Sequence, residues 1–201
     1  GVRARLHPAG IVTYIVDRNL NPTNVCIADC GFCAFYRSPG DAVAYVPSRA
    51  EIYTKVQELA DIECAIDWLC KQPGVDAARV GMSGGSYGGF MTAYALTHSK
   101  RFAAGIASAP VTDWHNYDSI YTERYMGTPE GNPRGYETSS PLQKAGQLKA
   151  DLLLVHGSAD DNVHLANTMA FVSALIKAGR PYSLQVHPRQ LHGFRPKEDR
   201  I

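Results

Sequence analysis

Ser86 lies in Gly84-Gly85-Ser86-Tyr87-Gly88-Gly89, which fits the pattern G-x-S-x-G. A serine hydroxyl is a weak nucleophile and needs a base that is itself oriented by an acid. Asp160, in His156-Gly157-Ser158-Ala159-Asp160-Asp161, and His192, in Leu191-His192-Gly193-Phe194, follow in the order acid, then base. The chemistry that such a set performs is acyl transfer through a covalent acyl-enzyme. A sharp strand-to-helix turn would lift Ser86 Oγ clear of a sheet, and glycines two residues before and after would relieve the crowding. The Tyr87 amide would then point toward a developing oxyanion at a helix N-terminus.

A second group is Cys26-x-x-x-Cys30-x-x-Cys33. Three thiolates on one short loop can hold three irons of a [4Fe–4S] cluster and leave the fourth open. Zinc is the alternative and wants a fourth protein ligand, which Cys64 or Cys70 could supply. Helical spacing instead marks Cys64 and Cys70 as small buried apolar residues. A cluster loop that no longer holds metal is the third reading.

Elements must place these residues. Asp61 is a helix N-cap candidate, followed by Ile62, Ala65, Ile66 and Leu69 at helical spacing and by Pro73-Gly74 as a stop. Residues 79–82, 103–107, 151–155 and 182–186 read as strands, the third apolar enough to be buried on both faces. Residues 86–98 and 163–178 read as helices. Strand and helix alternate, which predicts a parallel sheet with helices on its faces. Asp160 and His192 then fall just past the carboxyl ends of strands, where open α/β sheets hold their sites. The fold class is α/β, a partial α/β-hydrolase preceded by a short fragment.

The 201 residues are 45% apolar and 19% charged with a formal net charge of +1, enough apolar content for a core. That balance points to no nucleic-acid partner, and no apolar run approaches the roughly 20 residues a membrane span needs. There is no signal-peptide core, and the chain does not open on Met, so a fragment or processed form is expected. Cysteine usage suits a metal loop better than a disulfide framework, which sets the expectation of a cytoplasmic protein.

Residues from about 61 onward resemble the catalytic domain of the prolyl oligopeptidase family, and within it the dipeptidyl peptidase IV branch. The resemblance is carried by the Ser86 segment, by Tyr121-Thr122-Glu123-Arg124-Tyr125-Met126-Gly127, by the run from His156 through Asn162-Val163-His164, and by His192-Gly193. It implies a serine peptidase acting on peptides after proline or a small residue, with Ser86, Asp160 and His192 as triad. Asp160 rather than Asp161 would be the acid, and Asp161 a helix-start residue. Asn162 would contact the substrate backbone. Val111, Trp114, Tyr117 and Tyr121 would form the pocket for the residue before the scissile bond, core packing being the alternative for these aromatics.

The resemblance also implies missing parts: a β-propeller that holds the peptide's amino terminus, the first half of the sheet, a tyrosine that is the second oxyanion donor, and the last helix. Loss of one oxyanion donor typically costs about 10²–10³ in rate. An unpaired strand edge would favour aggregation. Little dependence of turnover on a free substrate amine follows from the same reading.

Residues 1–58 resemble radical S-adenosylmethionine enzymes, closely the dehypoxanthine futalosine cyclase group of menaquinone biosynthesis. Arg5-Leu6-His7-Pro8, residues 12–19, Thr23-Asn24-Val25-Cys26 and Phe32-Cys33-Ala34-Phe35-Tyr36-Arg37 carry it. It implies a [4Fe–4S] cluster on Cys26, Cys30 and Cys33 whose open iron takes S-adenosylmethionine. A barrel of that type needs around 200 residues. The chain therefore reads as a fusion, with residues 1–58 as one fragment and 59–201 as a hydrolase region. Three functions follow: a serine peptidase, a radical enzyme, or an inactive hybrid of the two.

Overall fold

The computed structural model describes residues 58–193. Cys26, Cys30 and Cys33 lie outside the described residues. The chain divides into two compact units, residues 1–75 and 76–201.

In the first unit, α1 runs Glu58–Leu69. Asp61 therefore stands inside the first turn and is not the N-cap. Leu59, three residues before Ile62, extends the apolar stripe one turn upstream of where it was expected to start. After Leu69 the chain turns, with Gln72 N donating to Leu69 O at 2.9 Å and Gly74 at φ +83, in keeping with the expected Pro73-Gly74 stop. Cys64 is exposed and Cys70 half-buried, so neither is the buried apolar residue expected. Cys64 sits two residues from both Ile62 and Ile66, which turns it about 200° from each on the helix and off the apolar stripe.

The second unit holds four parallel strands in the order β1-β2-β3-β4: β1 Gly81–Gly85, β2 Ala104–Ser108, β3 Asp151–Gly157 and β4 Ser183–His187. The helix α2, Tyr87–His98, joins β1 to β2, and α5, Ala166–Lys177, lies between β3 and β4. Between β2 and β3 run a 3₁₀ turn Trp114–Asn116, α3 Ser119–Met126, α4 Pro133–Thr138 and a 3₁₀ segment Leu142–Gln147. A parallel sheet in sequential order with right-handed crossovers returns each helix to the same face. Register puts Gly105 beside Leu152, Ala107 beside Leu154, and His156 beside Val186. A side chain at Gly105 would meet Leu96 and Thr92 of α2, and His156 on the same face bonds Thr168 of α5. Both crossover helices thus cover one of the two faces expected to be covered. Leu96, Leu154, Phe171 and Leu175 are buried in its core.

β1, β2 and β4 are displaced from their expected positions by one to three residues, and β3 starts at Asp151 as expected and runs two residues further. The largest shift is at β1, where Arg79 belongs to a 3₁₀ turn, Ala77–Arg79, capped by Asp76. The strand then runs straight through Gly84 and Gly85 to the edge of Ser86. In β3, Asp151 is exposed and Leu153 half-buried, so burial on both faces begins only at Leu154. That is where α5 and the loops close over the strand's carboxyl end.

Candidate active site

Ser86 is the hinge between β1 and α2. Its backbone sits at φ 58 and ψ −119, outside the regions L-residues ordinarily occupy, at a cost of order 1–3 kcal/mol. The strand and helix on either side hold it there: Ser86 N donates to Ser108 O at 2.9 Å, and Phe90 N donates to Ser86 O at 2.9 Å. The Tyr87 amide lies ahead of that first helical bond, at the helix's positive end. The glycines act differently from expectation. A Cβ on Gly84 would run into the Gly88 backbone, and one on Gly89 into the Ser108 carbonyl, while one on Gly88 would meet nothing within 4 Å. Gly84 and Gly89, not Gly84 and Gly88, are the positions where a side chain is excluded by contact.

Asp160 follows β3 and is 5% exposed. Its Oδ1 accepts from the amides of Asn162 at 3.0 Å and Val163 at 2.9 Å. Its Oδ2 accepts from His192 Nδ1 at 2.8 Å. A carboxylate can only accept, so Nδ1 carries the proton and neutral His192 presents Nε2 as a base. The loop bearing His192 reaches Asp160 by crossing directly over Gly157, where a Cβ would collide with the Gln190 and Leu191 carbonyls. Asp161 is exposed in the loop, well before the first turn of α5, and does not start the helix as expected. The helix starts at Ala166 and not at Val163, because Asp160 binds the Val163 amide and His156 binds its carbonyl.

His156 is a member of the site that sequence reasoning passed over. It is fully buried at the end of β3. Its Nε2 lies 2.8 Å from Val163 O and 3.3 Å from Asp160 Oδ2, and its Nδ1 lies 2.7 Å from Thr168 Oγ1. A carbonyl accepts, so Nε2 is protonated and Nδ1 accepts from the Thr168 hydroxyl. Burial pushes the His156 pKa below its ordinary 6.5, opposed by its bonds to Val163 and Asp160. Burial also lowers His98. The unfolded chain then binds protons more readily than the folded one. Stability is full above about pH 6.5 and falls as pH drops through that value, by up to about 1.4 kcal/mol per unit for each such histidine. The urea midpoint is expected to be lower at pH 5.5 than at pH 7.5, with a smaller difference in His156→Gln. An unchanged difference in the variant would remove His156 from this account. The available signal was a histidine four residues before Asp160 at the end of an apolar strand.

Of the expected pocket residues, Trp114 is 6% exposed and Val111 2%. The Trp114 ring contacts Phe90 edge-on at a centroid distance of 4.8 Å, with Tyr87, Tyr117 and Tyr121 at 6.1, 6.0 and 6.3 Å. Tyr87 connects this aromatic group to the elbow. Tyr117 Oη donates to Asn162 Oδ1 at 2.7 Å, which leaves the Asn162 amide nitrogen as the donor end. Burial first, then the charges of Asp118 and Asp160, push the Tyr117 pKa up. Trp114 and Val111 are thus wall and core, and Tyr117 and Tyr121 carry the accessible aromatic surface. A separate cavity of about 210 Å³ is lined by Ser86 and His192 together with Gly85, Ser108, Val155 and Leu191. It brings Ser86 and His192 to one space but does not include the aromatic group. Among the described residues, no cluster of three or more His, Cys, Asp or Glu side chains could hold a metal ion, and no helix is long and apolar enough to cross a membrane.

A family model described as the prolyl oligopeptidase family matches residues 49–201, starting inside the segment assigned above to the N-terminal fragment. Dipeptidyl peptidase 8 of Homo sapiens is 40% identical over 161 residues, covering 78% of this chain and 17% of that protein. A probable dipeptidyl-aminopeptidase B of Aspergillus oryzae is 48% identical over 128 residues, covering 62% and 14%. The crystal structure of Porphyromonas gingivalis dipeptidyl peptidase 4 matches with a TM-score of 0.68 and 47% identity, covering 71% of this chain and 20% of that one. The chain thus spans a fifth or less of the length of these relatives.

Proposed function

This chain belongs to the prolyl oligopeptidase family, and from that premise we propose that it is a serine peptidase with Ser86, Asp160 and His192 as its triad and that it cleaves peptides after proline or another small residue. The observation that carries the proposal is the 2.8 Å bond from His192 Nδ1 to a buried carboxylate, on a histidine that shares a cavity with the strained Ser86. In this reading, Ser86 Oγ attacks the scissile carbonyl as its proton passes to His192 Nε2. The Tyr87 amide stabilises the oxyanion. His192 then delivers the proton to the departing amine, and water repeats the sequence on the acyl-enzyme. Asp160 stays ionised and stabilises the imidazolium. The Asn162 amide nitrogen donates to a substrate backbone carbonyl, and Tyr117 and Tyr121, backed by Trp114 and Val111, bound the small-residue pocket.

Chromogenic dipeptide amides test the specificity. Xaa-Pro and Xaa-Ala are expected to exceed Xaa-Leu and Xaa-Phe in kcat/KM by at least about tenfold, or roughly 1.4 kcal/mol. Equal or faster cleavage after the large residues would overturn the pocket.

For Cys26, Cys30 and Cys33 we propose iron–sulfur binding with S-adenosylmethionine at the open iron, supported by the ligand spacing. Anaerobic reconstitution is expected to yield bound iron and sulfide that Cys30→Ser abolishes. Stoichiometric zinc in place of iron would overturn it.

A further inference from the structure

Asn167 is the second residue of α5 and is fully buried. Asparagine is a poor helix former because its amide competes for backbone partners. Here every polar group of that amide is engaged outside its own helix. Its Oδ1 accepts from Thr112 N at 3.2 Å, and its Nδ2 donates to Asn116 O at 3.1 Å. Its backbone carbonyl accepts from Thr112 Oγ1 at 2.7 Å. The partners stand two residues before and two residues after Trp114. The next residue, Tyr117, donates to Asn162 on the loop that leads into α5. The contacts therefore close a ring: Asn167 to Asn116, along the chain to Tyr117, across to Asn162, and along the chain back to Asn167.

We propose that Asn167 is a positioning residue for specificity, locking the loop of residues 112–117 onto α5 at a fixed register. It rests on the pocket reading above. A pocket discriminates only if its wall stands at a set distance from the group that holds the substrate backbone. Trp114 and Tyr117 are on the wall loop, and Asn162 belongs to the loop of Asp160. Asn167 joins the two. Its own side chain contacts no reacting group, so it acts through the loop. The main-chain bonds that hold the elbow, Ser86 N to Ser108 O and Phe90 N to Ser86 O, do not involve it.

The test uses the full chain and two variants, one that breaks the ring at Asn116 and one that removes the hydroxyl bond from Thr112 to Asn167 at the other end of the same loop. Asn167→Asp keeps the size and the acceptor for Thr112 N but sets an oxygen against Asn116 O. Thr112→Val keeps the shape and removes the hydroxyl donor. KM and kcat are measured on an Xaa-Pro chromogenic amide, and Ser86 reactivity by the rate of labelling with a small alkyl fluorophosphonate that does not fill the pocket. Asn167→Asp is expected to raise KM about tenfold or more and Thr112→Val less, with labelling within about twofold of the parent in both. A labelling rate that falls in step with the rise in KM in both variants would mean a merely structural role and overturn the proposal. Trp114→Ala separates this idea from the pocket reading. If Trp114→Ala raises KM while neither Asn167→Asp nor Thr112→Val does, the pocket stands and the positioning role falls. If Trp114→Ala leaves KM unchanged, the pocket reading fails and the proposal fails with it.

Discussion

Ser86→Ala is expected to remove covalent labelling by fluorophosphonates altogether and to lower kcat on an Xaa-Pro amide by about 10⁶-fold, the scale on which serine triads lose turnover with their nucleophile. The fold should not contribute to that loss. The Ser86 side chain makes no cap hydrogen bond to α2, so its hydroxyl holds no helix amide in place. Alanine at φ 58 suffers the same backbone strain as serine, and the bonds that enforce it, Ser86 N to Ser108 O and Phe90 N to Ser86 O, are main-chain bonds the variant keeps. The denaturation midpoint should therefore shift by no more than about 0.5 kcal/mol in stability. Labelling that persists in the variant would mean that another residue reacts, and the assignment of the nucleophile would fall. A variant that fails to label and also unfolds would point to a structural role for the hydroxyl.

The alternation of strand and helix, the elbow and the order of Ser86, Asp160 and His192 could be read from the residues because each rests on local chemistry. A β-rich apolar run, a glycine-flanked serine and a histidine past a strand end carry their signals within a few positions. What could not be read depends on contacts between distant segments. Gly89 is required because the Ser108 carbonyl, from another strand, occupies the space a side chain would need. Periodicity extended α5 back to Val163, but a carboxylate three residues upstream and a histidine seven upstream take that residue's backbone groups. The segment between β2 and β3 gave the least, since its short helices and 3₁₀ turns are held by tertiary bonds such as Ser140 Oγ to Thr112 O at 3.0 Å and Tyr136 Oη to Gly127 O at 2.8 Å. Cys64 shows the opposite failure, where helical spacing predicts burial of a small residue whose angular position, about 200° from both Ile62 and Ile66, puts it off the apolar stripe.

Asp160→Asn is expected to lower kcat by about 10⁴-fold while leaving the protein folded, the scale reported by an acid-to-amide change in a serine triad. The two carboxylate oxygens do separate jobs. Oδ1 accepts from the amides of Asn162 and Val163, and Oδ2 accepts from His192 Nδ1. An asparagine satisfies the two amides only by keeping its carbonyl at the Oδ1 position, because its NH₂ can donate but not accept there. The NH₂ then faces His192 Nδ1. A donor opposite Nδ1 selects the tautomer with the proton on Nε2, the nitrogen that must take the Ser86 proton. The base is thus blocked by a proton and not moved. His192→Ala should lower kcat further still, and the double variant should be no worse than His192→Ala alone, since Asp160 acts through the imidazole. Single variants whose losses multiply in the double variant would mean that Asp160 contributes by a route that does not pass through His192, and the role given to it here would have to be withdrawn.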